Sequence, residues 1–133
     1  MKDKGFEKIF QIMNLMAFLE ILIWKVHYDT YINEDGTYVL RINYNKCYDK
    51  ILDYSRVHHI NYPNLDIKAF KFTLKSKPYC LCYNAPAWFK KETSSKESQV
   101  VRAAFIDIKA LQAMGIFIDN LLCNNTSMEI KEG

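Results

Sequence analysis

The first stretch of the chain is apolar on almost every side. Asp3 is placed to cap a helix that begins near Lys4 and runs to about Leu22. Glu7, Gln11 and Asn14 recur three or four residues apart and form its polar stripe. Around them stand Phe6, Ile9, Phe10, Ile12, Met13, Leu15, Met16, Phe18, Leu19 and Ile21. A surface helix buries a stripe of little more than a third of its circumference, and this one is apolar over far more. It is therefore either a central helix wrapped by the rest of the fold or one side of an oligomer interface, with Met13 and Met16 in the contact.

Period-two alternation follows. Lys25 to Ile32 and Thr37 to Tyr44 read as two strands joined through Asn33-Glu34-Asp35-Gly36, where Gly36 supplies the positive φ of a hairpin turn. Lys46 to His59 returns to helical spacing, with Tyr48, Ile51, Leu52 and Ser55 along one face. Asn61, Tyr62, Pro63 and Asn64 end it. Ile67 to Leu74 alternates again, Phe70, Phe72 and Leu74 against Lys71, Thr73 and Lys75, and predicts a third strand. Ser76-Lys77-Pro78 makes a turn, Tyr79 to Tyr83 a fourth strand, and Asn84-Ala85-Pro86-Ala87 breaks the pattern.

The last element reads two ways. Val101, Ala104, Phe105, Ile108 and Leu111 fall at helical spacing up to Gly115, with Ser94 or Ser95 as cap and Glu97 assisting. A strand from Val100 to Ile106 followed by a short helix fits nearly as well; the helix is the favoured reading. Ile116 to Leu122 is apolar, and the tail from Asn124 is polar. The pattern predicts an α+β fold, a small antiparallel sheet of about four strands with two or three helices packed on one face.

Length and composition place this pattern in one domain, residues 1–133, large enough to fold without a metal or disulfide staple. The stretch from Ile9 to Trp24 follows three lysines but is interrupted by Gln11, Asn14 and Glu20 and is too short for a membrane span. A cytoplasmic protein is expected, in which Cys47, Cys80, Cys82 and Cys123 stay free thiols. Cys80 and Cys82, two apart on a strand, would share a face. A metal site combining cysteines with His58 or His59 is the weaker alternative, and no cofactor is expected.

The net charge of +3 hides an uneven distribution. Residues 67–91 hold Lys68, Lys71, Lys75, Lys77, Lys90 and Lys91 and no acidic residue, whereas the segments on either side are slightly acidic. On a hairpin, Lys71, Lys75 and Lys77 would project from one face, near Tyr79, Tyr83, Trp88 and Phe89. Rows of ammonium groups track phosphates, and neighbouring aromatic rings stack on single-stranded bases. The same lysines also serve to protect a sheet edge from aggregation.

Chemistry-bearing residues are few. Arg56, His58 and His59 end the second helix and would suit a small metal-independent ribonuclease or toxin-like enzyme; cations also favour a helix C-terminus for purely structural reasons. Glu20 stands on an apolar helix with His27 its nearest partner in sequence. Glycine-rich phosphate loops, nucleophile elbows, zinc-protease helices and calcium loops are absent. The expectation is a non-catalytic binding or inhibitory module that contacts nucleic acid or a nucleoprotein, otherwise an acidic protein surface, through residues 67–91. Abundant Lys, Ile, Asn and Tyr would suit an accessory or anti-defence protein of a phage or other mobile element. Alternatives are the ribonuclease and an oligomeric small-ligand-binding protein.

Overall fold

A computed structural model describes residues 6–59, 66–92 and 96–122. Its elements run α1 (Lys8–Phe18), β1 (Tyr28–Ile32), β2 (Tyr38–Ile42), α2 (Tyr44–His58), α3 (Ile67–Lys75), β3 (Cys80–Lys90), β4 (Ser98–Asp107) and α4 (Ile108–Ala113). The four strands form one antiparallel sheet in the order β1-β2-β4-β3. The fold is α+β, as the hydrophobic pattern implies. Leu40, Ile42, Ala104 and Ile106 turn one face of the sheet toward α1, α2, α3 and α4. Phe10, Met13 and Met16 of α1, Cys47 and Ile51 of α2, Phe70 and Leu74 of α3 and Leu111 of α4 complete this main core. Met13 and Met16 lie inside the chain's own core. Of the two readings of the first helix, the wrapped central helix describes their side.

α1 stops at Phe18 rather than Leu22 because a Schellman-type closure ends it. Ile21 N–H donates to Met16 O at 2.8 Å and Glu20 N–H to Ala17 O at 3.1 Å, with Glu20 held at φ 63° where glycine usually stands. The β1–β2 hairpin and α2 fall where the sequence places them, within a few residues. The proposed starting cap at Asp3, the turn Asn61 to Asn64, the caps Ser94 and Ser95, and the tail from Asn124 lie outside the described residues.

Two predicted elements change type. The segment predicted as a strand from Ile67 to Leu74 is the helix α3. Asp66 caps it, accepting from Ala69 N–H at 2.7 Å. The side chains it turns inward are Ile67, Phe70 and Leu74, three and four residues apart, and Phe72, the residue that made the alternation look strict, is 77 % exposed. The favoured helix around Val101 to Ile108 is instead the strand β4, followed by the short helix α4 whose cap is Asp107. β4 lies between β2 and β3 and is covered on both faces, Ala104 and Ile106 by the main core, Ala103 and Phe105 by a second one. A strand buried on both faces loses its alternation and imitates a helix.

β3 is longer than expected and continues through Asn84-Ala85-Pro86-Ala87 to Lys90. Its place at the edge of the sheet makes Pro86 tolerable, since no further strand needs the missing N–H. Register shifts between Cys80 and Cys82, and between Cys82 and Ala85, mark β-bulges, which bend a strand and sharpen its twist. They also part the two cysteines. Cys80 stands opposite Ile106 and Cys82 opposite Phe105, neighbours on opposite faces of β4, so the expected shared face is not formed.

The bend has a large consequence. In a flat hairpin Phe89, opposite Gln99, would lie about 20 Å along the strand from Phe105. Instead the Arg41 guanidinium sits 5.5 Å from the Phe89 ring and 5.9 Å from the Phe105 ring, and Lys90 N–H donates to Lys25 O at 2.9 Å. The hairpin curls over the sheet face that the helices leave free and encloses a second small core of Ala87, Phe89 and Ala103.

Candidate nucleic-acid interface

With α3 helical, the lysines of 67–91 divide into three groups. Lys68, Lys71 and Lys75 are three and four residues apart and form a stripe along α3 beside exposed Phe72. Lys77 is withdrawn from the surface strip. It pairs with Glu7 at 3.1 Å, where Glu7 is completely buried. Tyr79, also fully buried, donates its hydroxyl to the same Glu7 oxygen at 2.7 Å, and burial together with that bond pushes its phenol upward. Lys90 and Lys91 lie at the far end of the curled hairpin, Lys91 paired with Glu97 at 3.2 Å. The continuous cationic strip of a β-ribbon is therefore not formed.

The α3 stripe nevertheless packs against two tyrosines, one of which, Tyr44, the sequence does not bring near it. Lys71 Nζ lies 4.9 Å from the Tyr44 ring centre and Lys75 Nζ 5.3 Å from that of Tyr83. The Tyr44 hydroxyl stands 2.9 Å from Tyr83 O and 3.2 Å from Asn84 Oδ1, both within donating distance. Burial pushes Tyr44 up to about 12, partly opposed by the charge of Arg102, and the phenol stays neutral. Arg102, in turn, is clamped onto Asn84, donating from Nη2 to its carbonyl at 3.0 Å and from Nε to Oδ1 at 3.3 Å. One connected patch thus holds Lys71, Lys75 and Arg102 around two tyrosines. Among the described residues none of these three cations, nor Lys68, joins an ion pair.

The strand register extends the patch. Pro86 is opposite Arg102 and Trp88 opposite Val100, so Trp88 and Arg102 are diagonal neighbours on one face of the hairpin. Trp88 is 64 % exposed. Of the residues expected to line one strip, Lys71, Lys75 and Trp88 lie on a helix and an adjoining hairpin, whereas Tyr79 and Phe89 are buried. Arg102, Tyr44 and Asn84 are the residues that sequence reasoning misses here. Arg102 is the lone charge between Gln99 and Ile106, a signal that only the strand pairing connects to the lysines.

The histidine group has no comparable surroundings. Arg56 pairs with Asp53 at 2.6 Å with both side chains exposed, His58 rests against the Tyr54 ring at 4.3 Å, and His59 ends α2 at φ 53°. None of them lines the three cavities described for the fold. Cys47, Cys80 and Cys82 are free thiols; burial alone pushes Cys47 upward, and burial followed by the nearby Cys82 pushes Cys80 up to about 11. Cys123 lies outside the described residues. Among the described residues no cluster of three His, Cys, Asp or Glu is arranged to hold a metal ion, and no helix is long and apolar enough to cross a membrane.

Comparison with known protein families, with curated proteins and with solved structures finds no match for the chain.

Proposed function

We propose that this chain is a non-catalytic binding module that contacts nucleic acid, free or within a nucleoprotein, through the face formed by α3 and the β3–β4 hairpin. One observation carries the reading. Three cations with no carboxylate partner among the described residues, Lys71, Lys75 and Arg102, converge on Tyr44 and Tyr83 on the face that also exposes Trp88. The lysines suit phosphates as mobile point charges, while Arg102 offers a fixed guanidinium fork. An exposed indole beside them favours unpaired bases, which stack on it whatever their sequence.

Fluorescence anisotropy with a labelled single-stranded oligonucleotide tests this. Three phosphate contacts on a single strand give a log–log salt slope of about −2. Lys71→Glu combined with Lys75→Glu should abolish binding at moderate salt, Arg102→Ala should reduce the slope, and Trp88→Ala should weaken binding with the slope kept. Binding that is undetectable at low salt, or indifferent to all four changes, refutes the proposal. RNA cleavage by the purified chain that disappears in His58→Ala would place the activity in the histidine group instead.

A further inference from the structure

The largest described cavity is built from other residues than that face, and it is built differently. It measures about 600 Å³, within the range of small-molecule sites. It opens between the turn after α1, the first turns of α2 and the exit of β3. Ile21, Ile23 and Val26 give it an apolar wall, and Lys46 and Lys50 enter from α2.

His27 marks this cleft as a site. The residue is only 7 % exposed, and its main chain is fixed, the carbonyl accepting from Asn43 N–H at 2.9 Å and from the Cys47 thiol at 3.2 Å. Ile23 N–H donates to Nδ1 at 2.8 Å, so that nitrogen keeps its lone pair and the proton sits on Nε2. Burial, reinforced by the charges of Lys50 and Lys46, pushes the ring down to about 4, which keeps it a neutral donor near pH 7. Among the described residues no side-chain or backbone group accepts from Nε2. The turn that carries Ile23 and leads into His27 is bounded by Glu20 at φ 63° and Lys25 at φ 75°, two left-handed non-glycine residues of the kind that collect at ligand sites.

We infer that this cleft binds a small-molecule oxyanion, a phosphate or a carboxylate, which accepts from His27 Nε2–H and is neutralised by Lys46 and Lys50. Glu20, Asp49 and Glu92 border the same cleft. They disfavour a polyanion such as a nucleic-acid strand, and they suit a compact ligand whose remaining groups are hydroxyls or an amine.

The experiment is NMR titration of the full chain with inorganic phosphate and, separately, with acetate, at ionic strength held constant with chloride. Saturable shifts of the His27 imidazole nitrogens and of the Lys46 and Lys50 amides are expected with at least one anion, and which one responds assigns the headgroup. Lys50→Gln and Lys46→Gln/Lys50→Gln should weaken that response progressively, the pair by about tenfold or more. Lys71→Glu combined with Lys75→Glu should leave it unchanged. Shifts that fail to saturate, or that arise only around Lys71, Lys75 and Arg102, overturn the inference, whatever the outcome of the oligonucleotide experiment.

Discussion

Glu7 shows how far a single residue can depart from its local pattern. Its spacing with Gln11 and Asn14 implies a solvated stripe, yet of the three only Gln11 is exposed. Asn14 accepts the N–H groups of Asn120 and Leu121 at 2.7 and 3.0 Å, and Glu7 is sealed under Lys77 and Tyr79. Neither arrangement is legible along the chain, because the partners lie some seventy to a hundred residues away. The energetic consequence is asymmetric. Removing one partner from a buried ion pair leaves an uncompensated charge, whereas removing both can cost little. Glu7 has no slack, since its Oε1 already lacks a hydrogen-bond partner among the described residues. Lys77→Met should therefore lower the unfolding free energy by about 3 kcal/mol, and Glu7→Gln with Lys77→Met by clearly less. Urea melts of wild type, both single variants and the double variant give the coupling; simple additivity would show that the pair is not acting as one unit.

At the level of elements, the β1–β2 hairpin and α2 are legible because each has one buried face and plain end signals. Gly36 adopts φ 87° in the turn, and Tyr44, Cys47, Ile51 and Ser55 are buried at helical spacing. The two exchanged elements fail for opposite reasons. In α3, surface Phe72 makes a short helix look alternating. In β4, burial on both sides makes a strand look helical. Local chemistry decided the first case, since Asp66 stands one residue before Ile67 and is able to satisfy the open N–H groups of a first turn. Asp66→Ala should cost about 1 kcal/mol of stability and raise hydrogen exchange in the first turn of α3 above that of the strands. An unchanged urea midpoint would mean that packing of Phe70 and Leu74 alone holds this helix.

At the scale of the whole molecule, the fold redistributes what the sequence concentrates. Six lysines in one segment become a helix stripe, a buried partner for Glu7 and a hairpin tip, and an arginine from another strand joins the first of these. Charge clustering along a chain reports a surface only when the segment's geometry is known. The curl of β3–β4 is the largest such long-range effect, and Arg41 is its centre. It forms two bonds to Asp29, at 2.8 and 2.6 Å, and lies over the rings of Tyr31, Phe89 and Phe105. Asp29 is almost completely buried, and its next cation, Lys25, is 3.7 Å away. Hydrogen bonding to Asp29 holds the Arg41 guanidinium even more firmly protonated than usual. Arg41→Gln should cost about 3 kcal/mol by stranding that carboxylate, and Arg41→Lys should recover only part, because an ammonium cannot reproduce the fork or spread its charge among three rings. The loss should be regional. Leu40 and Ile106 are tied into the main core, whereas residues 87–92 and 96–101 reach the sheet face through the second core and the Lys90–Lys25 bond. Hydrogen exchange in Arg41→Gln should therefore quicken across 87–92 and 96–101 while the β2–β4 ladder from Leu40 to Ile42 keeps its protection. Equal acceleration in both regions would mean that the hairpin and the main sheet open as one unit and that Arg41 is not the latch between them.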